Sequence, residues 1–316
     1  MTSGLSLRKG RRIQFMAMGC LMAGIFIASL QQTRAGWQLM WSDDFSGGSL
    51  NATNWTFDTG NGNNGWGNRE LEFYTTRPEN VYVGDGMLHI VARKETFQGK
   101  HYTSAKLKTR GLFSQKYGRF EFYARLPQGQ GYWPALWMMP EEAVYGHWAA
   151  SGEIDVMENK GGDPGKIFGT IHYGGTPPHN AHSHGPHFDF PPGDSAQKFH
   201  LYAVEWTSNS ISWSVDNHVY ETQTNWWSSI NGGGHNPYPA PFDQPFYIIM
   251  NLAVGGQFGG NPNDTTLFPG EMQVKYVRVY GQALQPSVAV TKVALNNLSA
   301  EAIVPVVTNG VDGGFR

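Results

Sequence analysis

Cysteine is nearly absent: the 316 residues contain one, Cys20, inside an apolar run from Ile13 to Leu30 that continues past it and so argues against lipid attachment. Beyond residue 35 there is no thiol, which excludes disulfides and cysteine-ligated metals and leaves stability to a large core. Charged residues are sparse, at 15%. After residue 35 no run approaches the roughly 20 apolar residues of a membrane-spanning helix. Neither an internal repeat nor a coiled-coil heptad is present. What the sequence does have is 40 Gly, 18 Pro and 14% aromatic residues, which suits a turn-rich β protein rather than a helical bundle or a disordered chain.

Arg8, Lys9, Arg11 and Arg12 precede the apolar run, and Thr33-Arg34-Ala35 supplies a small-residue exit. Residues 1–35 therefore read as a signal peptide cut before Gly36, and the expectation is a secreted protein, extracellular or periplasmic, with no membrane association once mature. An uncleaved anchor is the alternative, because the run is about 18 residues long. The Arg11-Arg12 pair leaves the export route open. The formal charge of −2 hides this division, since the first 35 residues hold five Lys+Arg and no acid, leaving 18 basic against 25 acidic residues, or −7, in the remainder. Such a balance opposes nucleic acid as a partner and disfavours strongly anionic polymers, although local patches can differ.

Short alternating runs dominate the rest. In "GRFEFYARLP", Phe120, Phe122, Ala124 and Leu126 fall on one face and Arg119, Glu121, Tyr123 and Arg125 on the other, the period of a half-buried strand. "VYVGDGMLHIVARK" predicts two strands around Gly84-Asp85-Gly86, and "ISWSVDNHVYET" two more around Asp216-Asn217. "KIFGTIHYG", "FHLYAVEW", "PFYIIMNLAV" and "MQVKYVRVYG" are further strand candidates. Strands at this spacing, without helical interludes, predict an all-β sandwich of antiparallel sheets. One domain is expected over 36–282, followed by a tail, linker or truncated module at 283–316.

The stretch "SGEIDVMENKGG" places Glu153, Asp155 and Glu158 along an apolar spine. On a regular strand Glu153 and Asp155 share a face and Glu158 points away, whereas a bulge at Val156 or Met157 returns Glu158 to its partners. Clustered carboxylates raise the pKa of at least one member, and glycoside hydrolysis uses one ionised and one protonated carboxyl. The pattern alone also fits a solvated strand. Trp133, Trp137 and Trp148 lie close upstream, and flat aromatic faces beside paired acids suit a carbohydrate cleft, although each tryptophan taken singly is more often a core residue.

"YGRFEFYARLPQGQGYWPALWMMP", "WAASGEIDVMEN", "GTIHYGG", "NLAVGGQFGG" and "FPGEMQVKYVRVYG", in that order, resemble the landmarks of glycoside hydrolase family 16, specifically its laminarinase-like endo-β-1,3-glucanases. The resemblance runs from about Trp37 to Gly281. It implies a β-jelly-roll sandwich with an open concave groove, retaining chemistry and β-glucan as the substrate. It also implies Glu153 as nucleophile, Glu158 as general acid/base and Asp155 between them, tuning both. Trp148 would lie under the sugar at the cleavage point, Trp133 would offer a neighbouring platform, Asn68 of "GNRELEFYT" a polar substrate contact, and His172 would project towards the acid/base. Two departures stand out. Tyr123 replaces a frequent substrate-contacting Arg, which would alter outer subsites, and Lys275 replaces an acid that helps hold a structural calcium, so no calcium is expected there.

"HYGGTPPHNAHSHGPHFDF" places His172, His179, His182, His184 and His187 within 16 residues. A zinc site is one reading of these imidazoles; a solvated loop edging the groove is the plainer one, and no metal or cofactor is expected. A non-catalytic carbohydrate-binding protein is a rival that would have no reason to keep both Glu153 and Glu158. Action on mixed-linkage glucan or on a galactan such as agar is the alternative within the fold. A monomer is the default expectation.

Overall fold

Two tight turns set the strand pairing. Asp85 and Gly86 (φ 52° and 69°) and Asp216 and Asn217 (φ 49° and 67°) are left-handed pairs, the two-residue geometry whose twist matches that of the flanking strands. They close the hairpins Val81–Gly84 with Met87–Phe97 and Ile211–Val215 with His218–Gln223, as the sequence predicts. The computed structural model describes residues 36–230 and 233–283, together with the backbone of 288–289 and 306–307. The expected signal at 1–35 and nearly all of the expected tail lie outside the described residues.

Two large sheets face each other. One has ten strands in the order His218–Gln223, Ile211–Val215, His200–Trp206, Gly118–Arg125, Gly270–Gln282, Met87–Phe97, Lys100–Ser104 and Glu72–Tyr74, with Trp37–Asp43 and Val81–Gly84 paired at its side. The other has eight, in the order Asn180–Ser183, Lys166–Gly174, Glu153–Glu158, Tyr132–Pro140, Phe246–Val254, Lys106–Lys108 and Thr56–Asp58, with Phe188–Asp189 on Lys166–Gly174. Pairing is antiparallel apart from Glu72–Tyr74 against Lys100–Ser104, which is parallel. Inward residues of both sheets, among them Phe120, Phe122, Leu136, Met138, Ile154, Val277 and Trp213, form one continuous core.

The Gly118–Arg125 strand corrects two expectations. Its inward face is as predicted, but Arg119 and Glu121 on the other face are also buried. Arg119 donates to Glu121 (2.6 Å), Glu205 (2.7 Å) and Asn217 (3.0 Å), which satisfies a guanidinium that would otherwise be costly to bury. Tyr123 lies on the outer face of the ten-stranded sheet, stacked on Tyr276 at 5.5 Å, so its identity has no bearing on groove subsites. Period-two patterning gives the parity of a residue, not the sheet to which it belongs. On that same outer face the Lys275 ammonium sits 4.3 Å from the Phe199 ring centroid.

The expected bulge falls at Val156. Asp155 pairs with Trp137 and Met157 with Leu136 on one side, while Asp155 pairs with Thr170 and Glu158 with Phe168 on the other. Val156 and Met157 both turn into the core. A bulge interrupts the hydrogen-bond ladder, and the Asp155 carbonyl is met by the indole N–H of Trp213, reaching across from the ten-stranded sheet at 2.7 Å. Gly169, opposite the bulge, makes the room: a Cβ there would stand 2.4 Å from Trp213 Cδ1. Gly169→Ala should therefore destabilise the fold by about 1–3 kcal/mol through overpacking. Trp213→Phe should cost about 1–3 kcal/mol by leaving a buried carbonyl unpaired. Denaturant midpoints check both, and unchanged midpoints would show that the cross-sheet contact is dispensable.

Candidate active site

The bulge delivers all three acids to the outer face of the eight-stranded sheet. Glu153 is fixed by the Trp148 indole, which donates to its Oε2 at 2.6 Å, and Glu158 by the Trp133 indole, which donates to its Oε1 at 2.8 Å. Register sets His172 directly opposite Glu153. Its Nε2 is 3.2 Å from Asp155 Oδ2 and 3.7 Å from Glu153 Oε1. Those two contacts correct the expectation that His172 points to Glu158, because the bulge intervenes only after Asp155.

A cleft of about 740 Å³ opens over this face, lined by Trp66, Asn68, Trp133, Trp137, Trp148 and Glu153 among others. Trp133 and Trp137 are half-buried and Trp148 is 36% exposed, so all three line the cleft, whereas Trp206 and Trp213 fill the core. Alternation along Tyr132–Pro140 explains the difference: Tyr132, Leu136 and Met138 turn inward, and Trp133 and Trp137 outward. Asn68 comes from the tight turn Gly65–Arg69 and its amide donates weakly to Glu70 at 3.4 Å.

Burial pushes the Glu158 carboxyl up to about 8, with the negative charge of Asp155 adding to the effect. Asp155 rises to about 7 through burial and then through Glu153. Burial also raises Glu153, but His172 and the Trp148 indole work against it. For His172, burial favours the neutral ring and is outweighed by Glu153 and Asp155, which carry it to about 10. The arrangement thus holds a proton on Glu158 while a cation supports charge on Glu153.

Several residues here carry no sequence signal. Lys106 lies buried beside the same acids, its ammonium 4.4 Å from the Trp66 ring centroid, 4.9 Å from that of Trp137 and 3.8 Å from Asp58. Burial lowers its pKa, and Asp58, Glu70 and Glu153 oppose that shift. Beneath the floor runs a relay. Trp137 donates to Asn251 (2.7 Å), Asn251 to Tyr74 (3.0 Å) and Tyr74 to Glu70 (3.0 Å). Its members come from three separate segments, Glu70 and Tyr74 sharing one, and only the alternation of "NLAV" and "LEFY" hints that they share a face.

The zinc alternative meets a different geometry. Among the described residues, the group of three donor side chains within 4.8 Å of one another is Glu153, Asp155 and His172, the acid cluster itself. His182 and His184 stack ring to ring at 5.9 Å, and His187 pairs with Asp189 at 3.1 Å.

Comparison with known proteins agrees with this fold and cleft. The sequence model of glycosyl hydrolases family 16 matches residues 53–278. The glucan endo-1,3-beta-glucosidase A1 of Niallia circulans is 47% identical over 263 residues, 78% of this chain but only 38% of that protein. The beta-glucanase of Rhodothermus marinus is 42% identical, covering 85% of this chain and 94% of its own length. The laminarinase catalytic domain of Thermotoga maritima superimposes with a TM-score of 0.68 at 37% identity, over 79% of this chain and all (100%) of that one. The chain belongs to glycosyl hydrolases family 16.

Because Glu158 binds its proton more tightly folded (about 8) than unfolded (4.5), its contribution to stability is full below 4.5 and is lost as pH rises through about 8. His172 acts with the same sign, between 6.5 and about 10. Thermal midpoints should therefore fall from pH 5 to 8. In Glu158→Gln that fall should be shallower; an identical slope would show that the carboxyl titrates normally.

Proposed function

We propose that the protein is an endo-β-1,3-glucanase of the laminarinase type that cleaves with retention of configuration. The observation that carries this reading is the emergence of Glu153 and Glu158 on one face of the sheet, each held by an indole N–H, Glu153 in the tryptophan-lined cleft and Glu158 in the cavity beside it. Glu158 gives its proton to the glycosidic oxygen as the C1–O bond breaks, and Glu153 forms an ester with C1 from the opposite face. Glu158, now a carboxylate, takes a proton from water, whose oxygen displaces Glu153 from C1. His172 balances the charge of Glu153, and Asp155 holds the His172 ring in place. The names of the relatives from Niallia circulans and Rhodothermus marinus support β-1,3-glucan as the substrate. The basic and then apolar residues 1–35 support export, and a secreted form beginning at Gly36 would be its signature.

Glu153→Gln and Glu158→Gln should each abolish release of reducing sugar from laminarin while leaving the thermal transition in place. Near-normal turnover in either would remove the assignment. Activity should decline as pH rises through about 8, because an ionised Glu158 has no proton to donate. Nuclear magnetic resonance of the first products should show the β-anomer. Trp148→Ala should weaken transition-state binding by about 1–3 kcal/mol, by analogy with stacking on aromatic platforms. Unchanged kcat/KM would leave that tryptophan a structural role only.

A further inference from the structure

The acid strand divides the cleft into unlike halves. Glu153 lines the larger cavity, which contains Trp66, Trp133 and Trp137 and reaches His172, His182 and Phe258 only at its edge towards the other half. Glu158 opens instead on a cavity of about 320 Å³ on the side of the Asn180–Ser183 strand, lined by Lys160, Phe168, His172, His182, His184 and Phe258 among others. In double displacement the nucleophile keeps the glycone, and the acid faces the departing sugar. Given the reaction proposed above, on which this inference rests, the tryptophan half holds the glycone and the histidine half the leaving group.

The leaving-group half has an unusual charge for a protein of this composition. Lys160 is half-buried, with its ammonium 4.6 Å from the Phe258 ring centroid and 5.3 Å from that of Phe168. Among the described residues it forms no ion pair. The carboxylates around it are engaged or neutralised. Glu153 and Asp155 face His172, and Asp189 pairs with His187 at 3.1 Å. Glu221, behind the loop, accepts the Gly185 N–H and the Gln223 amide. Glu158 holds its proton below about 8. His182 and His184 stand exposed on the far wall, their rings stacked. His184 Nδ1 donates to the Gly185 carbonyl at 3.2 Å, which leaves His182 as the imidazole donor opposite. An unpaired ammonium over an apolar floor, with that donor opposite, is suited to an anion bound through its oxygens.

We propose that this half of the cleft accepts a leaving-group sugar bearing an anionic substituent, a carboxylate or a sulfate ester, with Lys160 as its counter-ion and His182 as a hydrogen-bond donor. The glycone half, floored by indole rings, also holds an ammonium, that of Lys106, but this group is buried and faces Asp58 at 3.8 Å, so it offers an anion no comparable partner. The enzyme therefore reads the two sides of the scissile bond by different chemistry: ring faces on one, charge on the other.

The test uses laminarin partially oxidised at C6 to the carboxylate, digested beside untreated laminarin by the full protein. After cleavage the leaving-group residue becomes a new non-reducing end and the glycone residue a new reducing end. Acid-bearing residues should appear at new non-reducing ends several-fold more often than at new reducing ends. Lys160→Met should bring that ratio close to one, and Lys160→Arg should keep it. Equal frequencies with the unaltered protein, or an unchanged ratio in Lys160→Met, would overturn the proposal. Failure to cut untreated laminarin would instead remove the function proposed above.

Discussion

The bond from the Trp213 indole to the Asp155 carbonyl is the constraint on which the site depends. A strand with one residue too many leaves a carbonyl without its ladder partner, and burying it unpaired is costly. The opposing sheet supplies the donor, and Gly169 supplies the space. With the bulge held in this way, Val156 and Met157 both reach the core and Glu158 returns to the face of Glu153 and Asp155. The common orientation of the three acids is thus fixed by a contact on the core side of the sheet, away from the cleft.

Much of this architecture was legible in the sequence. Alternation gave the strands, Asp-Gly and Asp-Asn gave two hairpins, and the uneven spacing of Glu153, Asp155 and Glu158 announced the bulge before any coordinates. What could not be read were contacts between distant segments. Trp213 meets Asp155 from 58 residues away, and Asn251 meets Tyr74 from 177. Tyr123 was expected in the groove on the family resemblance, and alternation, which does not say which sheet a strand joins, had no power to correct it. His172 was expected against Glu158, and register placed it against Glu153 instead. The groove tryptophans show the opposite limitation: composition favoured the core for each one, and only their strand parity puts them outside.

Charge is legible in the sum and misleading in detail. A remainder of −7 suggests an acidic surface, yet burial raises the acids of the site towards neutrality, and the nearby cations His172, Lys106 and Lys160 face the cleft. The low dielectric that makes three carboxylates uncomfortable also gives each cation beside them more influence than it would have in water.

The relay under the cleft floor has a consequence for recognition. Trp137 is locked by Asn251, Asn251 by Tyr74 and Tyr74 by Glu70, so the ring cannot swivel without breaking a buried chain of hydrogen bonds. The entropy of ordering that surface is lost once, during folding, and not again at each encounter with a polymer. A floor of this kind cannot mould itself to its guest: a chain whose backbone curvature differs must bend to fit, or pass by.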